Sequence, residues 1–472
     1  MNVLVYTRPR IKTFFHELAE KVPSFDNIIY ASDHRGHENI WIMGFYYRAV
    51  NDIKAGLDAP DLKVDLSGVV RRCRYLRSLD RTKAQEKVVA MTLAVERIVK
   101  KYEIDIVFGM VMDSFVLDVF DQVLRQKNSQ YLGFLNNMVN GYSRLTSRGE
   151  LIRLSEFSSE DVVNALTDLS RNDYVPNMQK DFMWKTTPFS MFFTKYLKEK
   201  IKITYYFFKK IIDRDPDNFY FNSVASSHSM SCRKLEQIFY RQYEQSNWLD
   251  LIDSARSEGR LIVYLPLQFY PECSLDYWGT SAELSNFYSV INTILGNDYG
   301  KILIVTKEHP SANALRKSEF YKSFQHNSQV VLAPFDMSSN KLMEHADVVL
   351  TWTGSVGVEA VMRKKPLITL GSAYYDPGKK IKSLETLADL KGLEETVWEV
   401  YQSDNSSTSE LAGSVVEYML GGLIQGYVFP LDYATDLNPL NNQEMEVLAS
   451  GVEVYAKHIL QQGSYAIRPG SL

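Results

Sequence analysis

Two polar clusters in this chain have the residue types to hold a phosphate. The first is Lys307-Glu308-His309-Pro310, and the second is Thr351-Trp352-Thr353-Gly354-Ser355. A helix opening after a Thr-Gly-Ser turn offers free N–H groups and the positive end of its dipole to an anion. Thr353 and Ser355 add hydroxyl donors, and Gly354 lets the backbone come close to a phosphate. Glu359, one turn into the helix, is placed to accept hydrogen bonds from a ribose. His309 can donate to a phosphate oxygen as charge develops there. Pro310 stiffens the turn that aims the ring, and Lys307 brings a positive charge. Each residue alone has a plainer reading: Thr353 or Ser355 as an N-cap, and His309 as a satisfied structural histidine. Their occurrence together at strand ends favours a site for a leaving phosphate.

The elements that must position them are legible. Ile302–Thr306, Val330–Ala333 and Val348–Thr351 are short apolar runs alternating with helical periods, and Pro366–Leu370 follows. This alternation predicts parallel strands with crossover helices, whose ligands sit at the carboxyl ends of the strands. The helix after Gly354 is expected over Val356–Arg363. Leu261–Leu265 opens the same half and ends in Pro266-Leu267-Gln268. Gln268 is a candidate contact to a base or sugar, and Glu272 a candidate carboxylate in the cleft.

Val305–Pro310, Leu350–Ala360 and Lys365–Tyr375, with Tyr264–Glu272 upstream, resemble the capsule polysaccharide biosynthesis family that includes bacterial Kdo transferases. The resemblance covers Leu261–Asp376 well and the rest loosely. It implies two Rossmann-like domains arranged as in GT-B glycosyltransferases. Its His-Pro and Ser/Thr motifs resemble those of bacterial sialyltransferases that use CMP-sugars. By that resemblance His309 and Ser355, with Thr353, hold the phosphate of CMP.

The chain has 472 residues, too many for one ordinary core, and suggests two domains of about 200 residues each. Composition is that of a globular protein, and a net charge of −4 gives no reason to expect a nucleic acid partner. Cys73, Cys232 and Cys273 form no disulfide or metal pattern. Met1–Arg10 has no long apolar region of a signal peptide, and no apolar run is long enough to span a bilayer. The expected location is cytoplasmic, at or near the inner face of the membrane.

Val3–Tyr6 begins the first α/β unit, followed by a helix at Thr13–Lys21 and a strand at Asn27–Ala31. Asp33, His34 and His37 follow in a loop but lack a third convincing metal ligand. Ile104–Val111 is a further strand, with Asp113 and Ser114 at its carboxyl end. Tyr131–Leu135 and Leu151–Leu154 continue the pattern, with a turn at Ser147–Glu150. No Gly-x-Gly-x-x-Gly follows the first strand, against a dinucleotide oxidoreductase. Arg71, Arg72, Arg74, Arg77, Arg81 and Lys83 read first as a solvated helix face, and otherwise as a surface for an anionic acceptor.

A helical insertion is expected at about 155–220. Within it, Met191–Asp213 places Phe193, Leu197, Ile201, Tyr205, Phe208 and Ile212 on one stripe, with Lys195, Lys198, Lys202 and Lys209 to the other side. The commoner fate of such a stripe is packing on its own domain, and the alternative is an anionic membrane. Asp213-Arg214-Asp215 has the form of a metal-binding Asp-x-Asp but reads as a helix end. A loop at Asn222–Ser231, with His228, marks the approach to a domain boundary between about 225 and 260. The two domains are then 1–250, on the acceptor side, and 251–472, binding the nucleotide-sugar. Residues 382–424 read as helices and loops, Asn405–Ser409 as a polar loop, and Asn442–Gln462 as a final helix packing across the domains.

The expectation is a metal-independent, cofactor-free glycosyltransferase of bacterial surface polysaccharide synthesis. Its donor is a CMP-activated acidic sugar, Kdo or a nonulosonate, and its acceptor a glycan or glycolipid. His309, Lys307, Thr353 and Ser355 stabilise the leaving phosphate, and Asp113 or Glu272 is the base. The rivals are a UDP-sugar transferase or epimerase, and a non-catalytic capsule assembly protein.

Overall fold

The computed structural model describes residues 1–155, 157–171, 173–177, 188–223, 235–312, 315–403, 405–428 and 440–462. The loop expected at Asn222–Ser231 lies, from 224 onward, outside the described residues.

Thirteen strands are described: β1 (Asn2–Tyr6), β2 (Asn27–Ser32), β3 (Ile40–Trp41), β4 (Ile106–Met110), β5 (Gln130–Asn136), β6 (Tyr142–Thr146), β7 (Leu261–Pro266), β8 (Ile302–Lys307), β9 (Val330–Leu332), β10 (Val348–Thr351), β11 (Leu367–Leu370), β12 (Lys382–Leu384) and β13 (Ile424–Gln425). They form two sheets, in the orders β13-β6-β5-β4-β1-β2-β3 and β12-β11-β10-β7-β8-β9. The second sheet is parallel throughout. The first is parallel except at β5, β6 and β13, which pair antiparallel. Inner strands such as β1 and β8 are buried along nearly their whole length, as parallel strands covered on both faces must be. The expectation of an α/β fold with two Rossmann-like units holds.

The helices follow local signals. Asp80 caps the helix Arg81–Lys101 by accepting from the Thr82 and Lys83 amides, which meets two of its orphan donors. The helix Lys12–Glu20 turns Phe14, Phe15, Leu18 and Ala19 inward.

Several details differ from the sequence reading. The strand partnering β5 is β6, not Leu151–Leu154, which has no strand pairing; there the Leu154 amide donates to the Gly421 carbonyl. Residues 382–424 contain β12, and Asn405–Ser409 opens the helix Asn405–Leu420 rather than forming a loop.

The chain crosses between the units more than once. The helix Ser159–Ser170 contributes Leu169 to a core shared with Val358, Val415 and Met419 of the second unit. In the other direction, β13 joins the edge of the first sheet, and the helix Asn442–Gln462 packs Leu448, Val452 and Tyr455 against Val3, Phe14 and Leu145. The units also meet side chain to side chain. The Arg144 guanidinium lies 4.0 Å from the Tyr374 ring centroid. Trp278 presses against Gly149, whose φ of +89° and missing Cβ make the approach possible.

Candidate active site between the two sheets

In the second sheet β7 lies between β10 and β8, so three loops leave its carboxyl edge side by side. The β8 loop carries Lys307, Glu308, His309 and Pro310. Glu308 is a scaffold: its buried carboxylate accepts from Arg316 Nε (2.7 Å) and Nη2 (3.2 Å), from the Tyr321 hydroxyl (2.6 Å) and from the His309 amide (2.6 Å). Arg316 in turn donates to the Gln268 carbonyl of the β7 loop (2.6 Å). One buried ion pair thus fixes the backbone on both sides of His309. The imidazole Nδ1 accepts from the Ser311 amide (3.1 Å); that bond leaves the proton on Nε2 in the neutral ring. The ring tilts against Phe269, with centroids 5.5 Å apart. Lys307 is buried, and burial holds its ammonium below the ordinary lysine range, opposed by Glu308, Asp336 and Glu359.

The β10 loop runs through Thr351, Trp352 and Thr353 into a helix at Ser355–Met362, one residue off each expected end. Its N-cap is Gly354, with no side-chain capping bond, so neither Thr353 nor Ser355 serves as N-cap. The Thr353 hydroxyl is buried without a hydrogen-bond partner. A Cβ on Gly354 would sit 3.3 Å from Gln268 Oε1, so Gln268 lies against the turn. A Cβ on Gly357 would fall 1.7 Å from the Tyr375 hydroxyl, so the helix start is seated on that tyrosine. Glu359 stands one turn in and acts electrostatically on Lys307.

From the β7 loop, Gln268 Nε2 donates to Glu272 Oε2 (3.2 Å), and Ser274 Oγ donates to the same oxygen (2.6 Å). Burial raises the Glu272 carboxyl; the Ser274 and Gln268 bonds and Arg74 pull it down. Arg74 belongs to the first unit.

The first unit faces this loop with its own strand ends. Asp113 accepts both arms of Arg8, Nη1 at 2.6 Å and Nη2 at 3.1 Å, and its side chain remains 37% exposed. It acts electrostatically on Cys273, beside Glu272, so it lies near the β7 loop of the second unit. Behind it Asp33 is fully buried, 3.9 Å from Arg8 Nε. Burial raises the Asp33 carboxyl to about 6, with Arg8 opposing. Burial, with Arg8 adding to it, lowers His34 to about 3. Among the described residues no three His, Cys, Asp or Glu side chains are grouped to hold a metal.

The structure therefore brings Lys307, His309, Pro310, Gln268, Glu272, Thr353, Gly354, Ser355 and Glu359 to one sheet edge, with Asp113 opposite. Arg8, Arg316, Ser274 and Tyr375 escaped the sequence reading. Arg8 has a local signal, its place two residues beyond β1, the position that His309 holds after β8; Arg316, Ser274 and Tyr375 carried none.

One reading is corrected, and one holds. The basic run is not a solvated face: Arg72 pairs with buried Asp118 at 2.8 Å. Arg74 and Arg77 reach Asp276 of the second unit at 3.4 and 2.8 Å. Only Arg81 and Lys83 of the run are exposed. Asp213-Arg214-Asp215 does end a helix, at Ile212, and Asp215 accepts from the Tyr47 hydroxyl (2.5 Å) and Asn218 Nδ2 (2.9 Å).

Residues 186–380 match the family model described as capsule polysaccharide biosynthesis protein. The matched stretch contains β7 to β11 and every phosphate-side residue named above. The resemblance read from Val305–Pro310 and Leu350–Ala360 holds. No curated protein matches the chain. Among solved structures it is similar to KpsC, a β Kdo 2,7 transferase of Thermosulfurimonas dismutans, at 11% identity over 97% of this chain and 100% of that one, with a TM-score of 0.35. It is also similar to Anabaena Alr3699/HepE in complex with UDP-glucose, at 10% identity over 98% of this chain and 100% of that one, with a TM-score of 0.27. A UDP-GlcNAc 2-epimerase of Methanocaldococcus jannaschii matches at 11% identity over 85% and 92%, with a TM-score of 0.24. Likeness at these levels carries no argument about the reaction.

Proposed function

We propose that the chain is a glycosyltransferase of bacterial surface polysaccharide synthesis, moving an acidic sugar such as Kdo or a nonulosonate from its CMP ester to a glycan acceptor. The observation that carries this reading is the convergence of His309, Lys307 and the uncapped helix start at Ser355 on one edge, with exposed Asp113 across the cleft. A CMP-sugar has a single phosphate. One helix N-terminus, one imidazole and one ammonium suit a single phosphate.

In the reaction the acceptor oxygen attacks the anomeric carbon, the bond from that carbon to the phosphate oxygen breaks, and its electron pair leaves on CMP. His309 and the helix-start amides stabilise that charge, and Lys307 adds its field. The acceptor proton passes to a carboxylate. Asp113 is the better placed: its side chain is 37% exposed and it stands on the opposite unit from the phosphate ligands, whereas Glu272, half-buried, is engaged by Ser274 and Gln268. Metal independence is part of the proposal, because Asp215 is committed to Tyr47 and Asn218.

Calorimetry against CMP, CDP and UDP tests the donor class. CMP is expected to bind most tightly, and His309→Ala to lower turnover roughly 10²-fold with the fold intact. Tighter UDP binding moves the protein to the UDP-sugar rival. Absence of turnover with every donor leaves an assembly role, and full activity in excess chelator supports metal independence.

A further inference from the structure

The helix Pro188–Ile212 carries six lysines and one glutamate, in a chain whose net charge is −4. Among the described residues, the stripe read from its sequence does not pack on its own domain. Leu197, Ile201, Tyr205, Phe208 and Ile212 lie along one face and are 49 to 74% exposed, with Phe207 and Ile211 widening it. The helix is held by its other side and its C-terminal end. Tyr206 stacks on Phe221 with centroids 5.2 Å apart, Lys210 donates to Asn222 Oδ1 at 2.9 Å, and Arg35 donates to the Asp213 carbonyl at 3.0 Å.

We infer that this helix lies flat on an anionic lipid surface. A face of this size, apolar and aromatic, marks an interaction site. Lys198 and Lys202, both exposed, border the apolar stripe rather than interrupt it. From there their ammonium groups reach lipid phosphates while the rings and aliphatic chains enter the acyl boundary. Among the described residues no helix is long and apolar enough to cross a membrane, so the arrangement is interfacial. The anchor sets the orientation: Arg35 and Asp33 follow β2, so the helix springs from the first unit's strand ends. Docking brings that mouth of the cleft to the lipid surface, where a lipid-linked acceptor is presented.

The test uses the full chain with vesicles of phosphatidylcholine alone or mixed with phosphatidylglycerol. The protein is expected to sediment with the mixed vesicles only, and to be released when salt rises from about 0.1 M to about 0.5 M as the charges are screened. Lys198→Gln/Lys202→Gln should weaken binding roughly tenfold or more. Ile201→Asp/Phe208→Asp should abolish it, because the apolar face supplies the insertion. All four side chains are exposed, and CMP calorimetry on each variant reports an intact fold. Equal recovery with neutral and mixed vesicles, or none with either, overturns the inference. So does a concentration-dependent dimer that Ile201→Asp/Phe208→Asp dissolves while vesicles stay unbound, which assigns the face to a second copy. Vesicle binding without nucleotide binding would sink the transferase reading and leave the docking helix standing.

Discussion

The two sheets end in polar clusters built from similar parts, yet they dispose of their charge in opposite ways. At the carboxyl edge of the second, the buried Glu308–Arg316 pair is structural, and Thr353, His309 and the helix start lie together at the strand ends. At the edge of the first, Arg8 is consumed internally: it grips Asp113 with both arms and stands 3.9 Å from Asp33. An edge that gathers a lysine, an imidazole and helix-start amides suits an anion. An edge that spends its arginine holding two carboxylates suits proton transfer and orientation. The asymmetry is what a transferase needs when donor and acceptor enter from different sides.

The scaffold of the phosphate edge gives the largest expected effect. Arg316→Ala leaves Glu308 buried without its counter-ion, and should destabilise the protein by about 3–5 kcal/mol, read from denaturant midpoints. A loss below about 1 kcal/mol would mean the pair holds nothing in place.

Asp33 probes the other edge. Its carboxyl is raised to about 6 by burial, so between the unfolded carboxylate range near 4 and about 6 the folded protein binds the extra proton. Stability is therefore lost as pH rises through that window and stays lost above it, by up to about 3 kcal/mol. Asp33→Asn should be relatively more stable at pH 7.5 than at pH 4. A pH-independent difference would show that Arg8 fully compensates the buried charge.

Asp113→Asn keeps the shape of the Arg8 contact and removes the base. Turnover should fall roughly 10²-fold or more, while CMP affinity stays within about twofold, its ligands lying on the other unit. Full turnover would transfer the base to Glu272, and lost CMP binding would break the division of labour between the edges.

Gly357→Ala is the mildest. Its Cβ meets the Tyr375 hydroxyl, and overpacking of this kind costs about 1–3 kcal/mol. CMP binding should weaken as the helix start shifts, with partial recovery in Gly357→Ala/Tyr375→Phe. Unchanged binding would separate the helix start from the phosphate.

The second sheet was legible because its strands are short apolar runs, each closed by polar residues, a pattern that parallel topology imposes locally. Strand β6 was not. Its sequence, Tyr-Ser-Arg-Leu-Thr, reads as polar, and Arg144 is buried only because the Gly149 and Glu150 carbonyls and the Tyr374 ring receive it. Strands β12 and β13, of three and two residues, are too short to show a period. The basic run misled for a related reason: Asp276, which takes Arg74 and Arg77, lies some two hundred residues away, and charge alone does not reveal its partner. For the nominated site, strand ends and residue types were enough to find the edge. Which carboxylate is gripped and which is buried depends on residues apart in the chain, as Arg8 is from Asp33 and Asp113, and burial moves the Asp33 carboxyl well above its ordinary range.

The return of the chain to the first sheet bears on how the protein comes to be made. Synthesis runs from the amino end, so β1 to β6 emerge first, with the face around Val3, Phe14 and Leu145 bare. The helix that covers this face, Asn442–Gln462, is translated after the whole second unit. The second unit therefore has the opportunity to complete its core earlier than the first, reversing the usual order of nascent-chain folding, and the growing protein carries an apolar surface for a chaperone to shield until this helix leaves the ribosome.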